Sequence, residues 1–193
     1  MKRFGLGLVI FLFLTGSLLA GEDWMVKLEE AKVYLDQKQY GEAEQILTKL
    51  LKEHSDQWEV NYYFGLVKLA KGEIEPAENS LREASRLAPE DLSIRVDLAY
   101  ALLNLNKPDE ARREMTLVLA REPNNARALY LRGMSFIQKN DCKSAETDLT
   151  KAKELDPNYS AQADYYLGQC ALNTGKTIAA RRHFDQAIKS GPG

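Results

Sequence analysis

Few residues in this chain could do chemistry: two histidines, two cysteines and a set of tyrosines and carboxamides spaced through it. His54 and His183 have no cysteine or carboxylate at ligand spacing, so no metal site is expected. His54 reads as a turn residue and His183 as part of the last helix, both at the surface. There is no glycine-rich phosphate loop, nucleophile elbow or acidic calcium loop. The expectation is no catalytic residue, no cofactor and no small-molecule substrate. Cys142 and Cys170 leave two readings open. They are free thiols packing as small hydrophobes, or they form a disulfide that pins neighbouring units of an exported chain. A bridge requires Cα atoms within about 7 Å.

The remaining candidates are suited to recognition rather than reaction. Tyrosine offers apolar area and a hydroxyl at low entropic cost, and a carboxamide can pair with a peptide backbone. What joins these residues into a set is a period. "REPNNARALYLRG" is followed 34 residues later by "LDPNYSAQADYYLG". Ala43, Ala77, Ala111 and Ala145 are each 34 apart, and Ala180 follows after 35. Gly65, Ala99, Gly133 and Gly168 keep the same phase, as do Pro89, Pro123, Pro157 and Pro192. All three classes slip by one residue near Ser160, which marks a single insertion. The units are 24–57, 58–91, 92–125, 126–159 and 161–193.

Each unit reads as two amphipathic helices. In the fourth these are "ARALYLRGMSFIQK" and "KSAETDLTKAKEL", separated by "NDC". Proline ends the second helix, because it lacks an amide donor and restricts the residue before it. Small residues mark where the two helices cross closely. Ten helices are predicted from Trp24 to Lys189, with Ala43, Ala77, Ala111, Ala145 and Ala180 buried.

The pattern resembles the tetratricopeptide repeat, whose period is 34 with small residues at positions 8, 20 and 27 and proline at 32. Position 8 is Ala31, Gly65, Ala99, Gly133 and Gly168; position 20 is alanine throughout. Position 24 is Leu47, Leu81, Met115, Leu149 and Phe184, while Ser55 replaces the proline of the first repeat. Position 4, often tryptophan in the family, does not match. The resemblance implies an all-α fold, a right-handed α-solenoid of five helix pairs with a concave and a convex side.

It also implies an interaction surface, a groove lined by first-helix positions 2, 5, 9, 12 and 13. By that register the groove would hold Tyr62, Leu66, Tyr100, Asn104, Tyr130, Met134, Gln138, Tyr165, Gln169 and Asn173. The same aromatics could instead serve only to pack neighbouring first helices. Tyr63 and Tyr166, one position on, are assigned to structure. The family's carboxylate clamp calls for lysine at position 5 and asparagine at position 9 of the first repeat; Leu28 and Lys32 stand there, so a clamp is not expected. The charged second helices, with Glu78 and Arg82 four apart, read as solvated faces.

Residues 1–20 depart from this pattern. Lys2 and Arg3 precede an apolar run from Phe4 to Leu14, then small residues and Ala20, with Leu18 bulkier than the usual third position back, the layout of an export signal cleaved after Ala20. Uncleaved, it would be a signal anchor tethering the chain to the membrane, although the run is short of the ~20 residues of a full span. A periplasmic or secreted location is expected. The net charge of −2 leaves no footprint for nucleic acid or for an acidic membrane surface. The function expected is an exported scaffold or adaptor binding peptide segments of partner proteins in assembly of an envelope complex. The alternatives are a structural protein that self-associates through its C-terminal end, ending "AIKSGPG", and a holding chaperone for exported chains.

Overall fold

The computed structural model describes residues 23–191. Residues 1–20, read above as an export signal, and Pro192 lie outside the described residues. Among the described residues are ten α-helices and no strand: α1 (23–36), α2 (Tyr40–Glu53), α3 (Trp58–Ala70), α4 (Ile74–Leu87), α5 (Leu92–Asn104), α6 (Pro108–Arg121), α7 (Ala126–Gln138), α8 (Cys142–Leu155), α9 (Ser160–Asn173) and α10 (Thr177–Ser190). They pair in chain order as five units of an α-solenoid.

Each pair turns back through the same device. The second residue beyond the first helix takes a left-handed conformation: Lys38, Gly72, Asn106, Asn140 and Gly175 have φ of 60°, 76°, 56°, 57° and 73°. Its own amide and the next then reach back to helical carbonyls, as Gly72 N–H does to Leu69 O and Glu73 N–H to Lys68 O. That closure satisfies carbonyls the helix end would otherwise orphan. The expected "NDC" connector is corrected by one residue: Asp141 caps α8 by accepting from Ser144 N–H, so Cys142 already lies in the helix. At the other boundary, α4, α6 and α8 stop two residues before their prolines. The insertion becomes a 3₁₀ turn, Pro157–Tyr159, and one added residue on α9, which has 14 residues against 13 in α3, α5 and α7.

The small residues sit where helices cross. Ala43, Ala77, Ala111 and Ala145 are fully buried and Ala180 is 2% exposed. A Cβ added to Gly65, Gly133 or Gly168 would stand 2.7 Å from Leu81, Leu149 or Phe184 respectively. Position 8 is therefore small because position 24 of the same repeat fills the space.

Between repeats, each second helix packs on the first helix that follows, and successive first helices pack on one another: α3 on α5, α5 on α7, α7 on α9. No pair of second helices makes a comparable contact among the described residues. The first helices hence form the tighter, inner wall. That wall is where the site must be sought.

Candidate functional site

The inner wall presents its tyrosines unequally. Tyr100 is 43% and Tyr165 47% exposed, whereas Tyr62 and Tyr130 are half-buried. Tyr62 donates its hydroxyl to Asp97 Oδ2 at 2.9 Å. Burial, reinforced by the Asp97 charge, holds that hydroxyl far above the usual tyrosine range. Tyr130 stacks on Tyr159, ring centroids 4.9 Å apart, and packs on the central core. Burial, with smaller contributions from Tyr166, Tyr159 and Tyr100, pushes its hydroxyl up to about 12. Two rings are open to solvent and two belong partly to the core.

The carboxamides are tied down as well. Asn104 Nδ2 donates to the Tyr100 carbonyl at 2.8 Å, Gln138 Nε2 to the Leu103 carbonyl of the preceding repeat at 3.0 Å, and Gln169 Nε2 to the Tyr165 hydroxyl at 2.9 Å. Among the described residues no bond reaches their side-chain oxygens, so three acceptors remain open along the wall. Asn173 is exposed at the end of α9; Leu66 and Met134 are half-buried, and Met134 packs against the core.

Three sequence expectations need correction. Position 5 is not uniformly a groove position: Leu28 and Val96 are 5% and 4% exposed and belong to the core, because side chains of that size sink between first helices. The histidines are not surface residues. His54 is half-buried and stacks on Trp24 at 5.4 Å, while His183 lies 2.9 Å from Oδ1 of the buried Asp164, which Lys153 also engages. Nor are the second helices wholly solvated, since Glu78 is 6% exposed and paired with Arg82 at 2.5 Å.

Tyr63 and Tyr166, read as structural, meet their neighbours Tyr62 and Tyr165 edge-on at 5.3 Å each. Sequence reasoning missed Tyr159, Asp97 and Arg127. Asp97 is 6% exposed and joins Tyr62 to Arg127, whose Nη2 is 2.5 Å from Oδ1, so the carboxylate ties three successive repeats. The available signal for Tyr159 was its place beside the one break in phase.

The cysteines are bridged: Cys142 and Cys170 have Cα atoms 5.4 Å apart and S–S at 2.08 Å, joining α8 to α9. No cluster of three metal-ligating side chains occurs among the described residues, and no described helix is long and apolar enough to cross a membrane.

This arrangement matches known proteins. Three sequence profiles described as tetratricopeptide repeat match residues 28–91, 68–134 and 126–159. TPR repeat-containing protein PA4667 of Pseudomonas aeruginosa is 27% identical over 175 residues, 89% of this chain but 30% of that protein. Human FK506-binding protein-like is 30% identical over 104 residues, 53% of this chain and 27% of its own length. The chain thus spans less than a third of these curated relatives. Among solved structures, MamA of Desulfovibrio magneticus RS-1 superposes with a TM-score of 0.77 at 20% identity, covering 86% of this chain and 94% of that one. YrrB, described as a TPR protein with an unusual peptide-binding site, does so with a TM-score of 0.75 at 21% identity, covering 93% and 92%.

Proposed function

This chain belongs to the tetratricopeptide repeat family, and on that premise we propose that it is an exported scaffold whose inner wall binds a segment of a partner protein, serving the assembly of an envelope complex. The observation that carries the reading is the exposure of Tyr100 and Tyr165 beside open amide acceptors on one wall. Exposed tyrosines supply desolvated contact area, and the amide oxygens can accept from a peptide backbone. The peptide-binding site in YrrB's description accords with this use of the fold. Export is supported by the layout of residues 1–20 and by the disulfide, which suits an oxidising compartment.

The test is a pull-down from envelope extract with the wild-type chain, a Tyr100→Ala/Tyr165→Ala variant and an Arg113→Glu variant on the outer side. The double tyrosine variant should lose ~2–4 kcal/mol of binding, as aromatic anchors do. Tyr130 is a poorer probe, because its ring also supports the core. Binding that survives the tyrosine variant but is lost with Arg113→Glu would overturn the reading.

Self-association through α10 is a second reading, favoured by Ile178 and Ile188, which are 89% and 79% exposed. A molar mass by light scattering that does not change with concentration would remove it.

A further inference from the structure

Each junction between repeats is clamped along the same edge, where the start of one second helix meets the next helix pair. At the first junction Glu44 binds Lys68 and Lys71. At the second, Glu110 binds Arg82 at 2.8 Å and Lys107 lies 3.5 Å from Glu78. At the third, Lys139 binds Asp109 at 3.1 Å and the Arg112 guanidinium lies 5.7 Å over Phe136. At the fourth, the place of the ion pairs is taken by the Cys142–Cys170 bridge. The one other polar link between α8 and the last helix pair, among the described residues, is Lys153 to Asp164 at the far end of α8.

We propose that this bridge is a site of thiol–disulfide exchange with an external dithiol, and that its opening selectively loosens the fifth repeat. The bridge is reachable. It borders an open cleft of ≈ 390 Å³ whose rim includes Lys143, Lys176 and Arg182 against the single carboxylate of Glu146. Cys142 is half-buried and begins α8, while Cys170 is 7% exposed inside α9. Access therefore directs attack to Cys142.

A thiolate of the dithiol attacks Cys142 Sγ. The S–S bond breaks, and its electron pair leaves on Cys170 Sγ, which takes a proton. The dithiol's second thiolate then attacks its own sulfur in the mixed disulfide and expels Cys142 as a thiolate. Two electrons pass to the protein and the dithiol becomes a disulfide. The N-terminus of α8 and the cationic rim stabilise the charge on the departing Cys142 sulfur.

Opening removes the edge clamp from α9, the helix that carries Tyr165, Gln169 and Asn173. The fourth junction is then held by Lys153–Asp164, by the Tyr130–Tyr159 stack and by a small cluster of Ala145, Leu149, Ala163 and Leu167 with Tyr130, Phe136, Ile137 and Tyr166 packed against it. Local opening of one repeat is the response expected of a solenoid stabilised by nearest-neighbour contacts. The proposal stands independently of what the groove binds.

Hydrogen exchange read by mass spectrometry on the full chain tests it, with and without dithiothreitol, beside a Cys142→Ser/Cys170→Ser variant. Reduction should lower amide protection in α9 and α10 at least tenfold and leave α3 to α7 unchanged. The double variant should show the lowered level without reductant and should not respond to it. If that variant fails to fold, the wild-type pair of measurements decides alone. Equal protection in both redox states, a loss spread over all helices, or a bridge that resists dithiothreitol in the folded chain would each overturn the proposal.

Discussion

Gly133 lies against Leu149 so closely that a Cβ on the glycine would stand 2.7 Å from Leu149 Cγ and 2.8 Å from Cδ2. Leu149 is fully buried and has no room to withdraw. Gly133→Ala should therefore destabilise by ~1–3 kcal/mol through overpacking, despite alanine's better helix propensity. Gly41→Ala is the control, since nothing lies within 4 Å of a Cβ there and the site is in α2. It should stabilise by up to ~1 kcal/mol. Urea unfolding of both variants checks the pair; equal signs would refute the contact argument.

The second prediction concerns Arg132 and Asp148. The guanidinium donates to both carboxylate oxygens, at 2.6 and 2.9 Å, and the Asp148 side chain is 5% exposed. Arg132→Met leaves that carboxylate buried without its partner and should cost about 3 kcal/mol. Arg132→Met/Asp148→Leu should recover most of the loss, because replacing both charges removes the desolvation penalty. Chemical denaturation of the three chains measures it, and a double variant no better than the single would show that the charges themselves stabilise.

Acid should weaken the first junction. Hydrogen bonds from Lys68 and then Lys71 hold the Glu44 carboxyl below its ordinary 4.5. A lowered folded pKa gives stability that is full above the unfolded value and is lost as pH falls through the folded one. Melting temperature should thus decline below about pH 4.5, and Glu44→Gln should flatten that part of the profile. The partner works in the opposite direction. Hydrogen bonds that Lys68 donates to Glu44 and then Glu73 raise its pKa above 10.5, so its contribution persists below that pH and is lost only as pH rises through the raised value. A Glu44→Gln chain with an unchanged acid limb would show that other carboxylates govern it.

Lys38 is the side chain least suited to its turn. It has φ of 60° where two other repeats place glycine and two place asparagine. Lys38→Gly should stabilise by ~1 kcal/mol, since the left-handed conformation costs an L-residue about that much. Thermal melts of wild type and variant decide it. A loss of stability would mean that the lysine makes a compensating interaction.

Much of the fold was legible along the chain. The 34-residue phase of alanine, glycine and proline marks helix pairs, their crossings and their ends, and these are local signals that need no partner to be read. The one-residue slip near Ser160 pointed to the boundary where a 3₁₀ turn stands. The left-handed turn positions were written in the same period, in Gly72, Asn106, Asn140 and Gly175, but Lys38 hid the pattern. Only the tertiary structure decided which inner-wall positions are open. Position 5 is core at Val96, half-buried at Tyr62 and exposed at Tyr165, because exposure depends on how neighbouring first helices fill the space between them. The Asp97 links to Tyr62 and Arg127 and the Tyr130–Tyr159 stack were likewise beyond reach of a one-dimensional pattern, while the Cys142–Cys170 bridge, one of two readings the sequence left open, was decided only by the fold. Each joins residues about one repeat apart, and such pairs meet or miss according to the angle at which one helix pair stacks on the next.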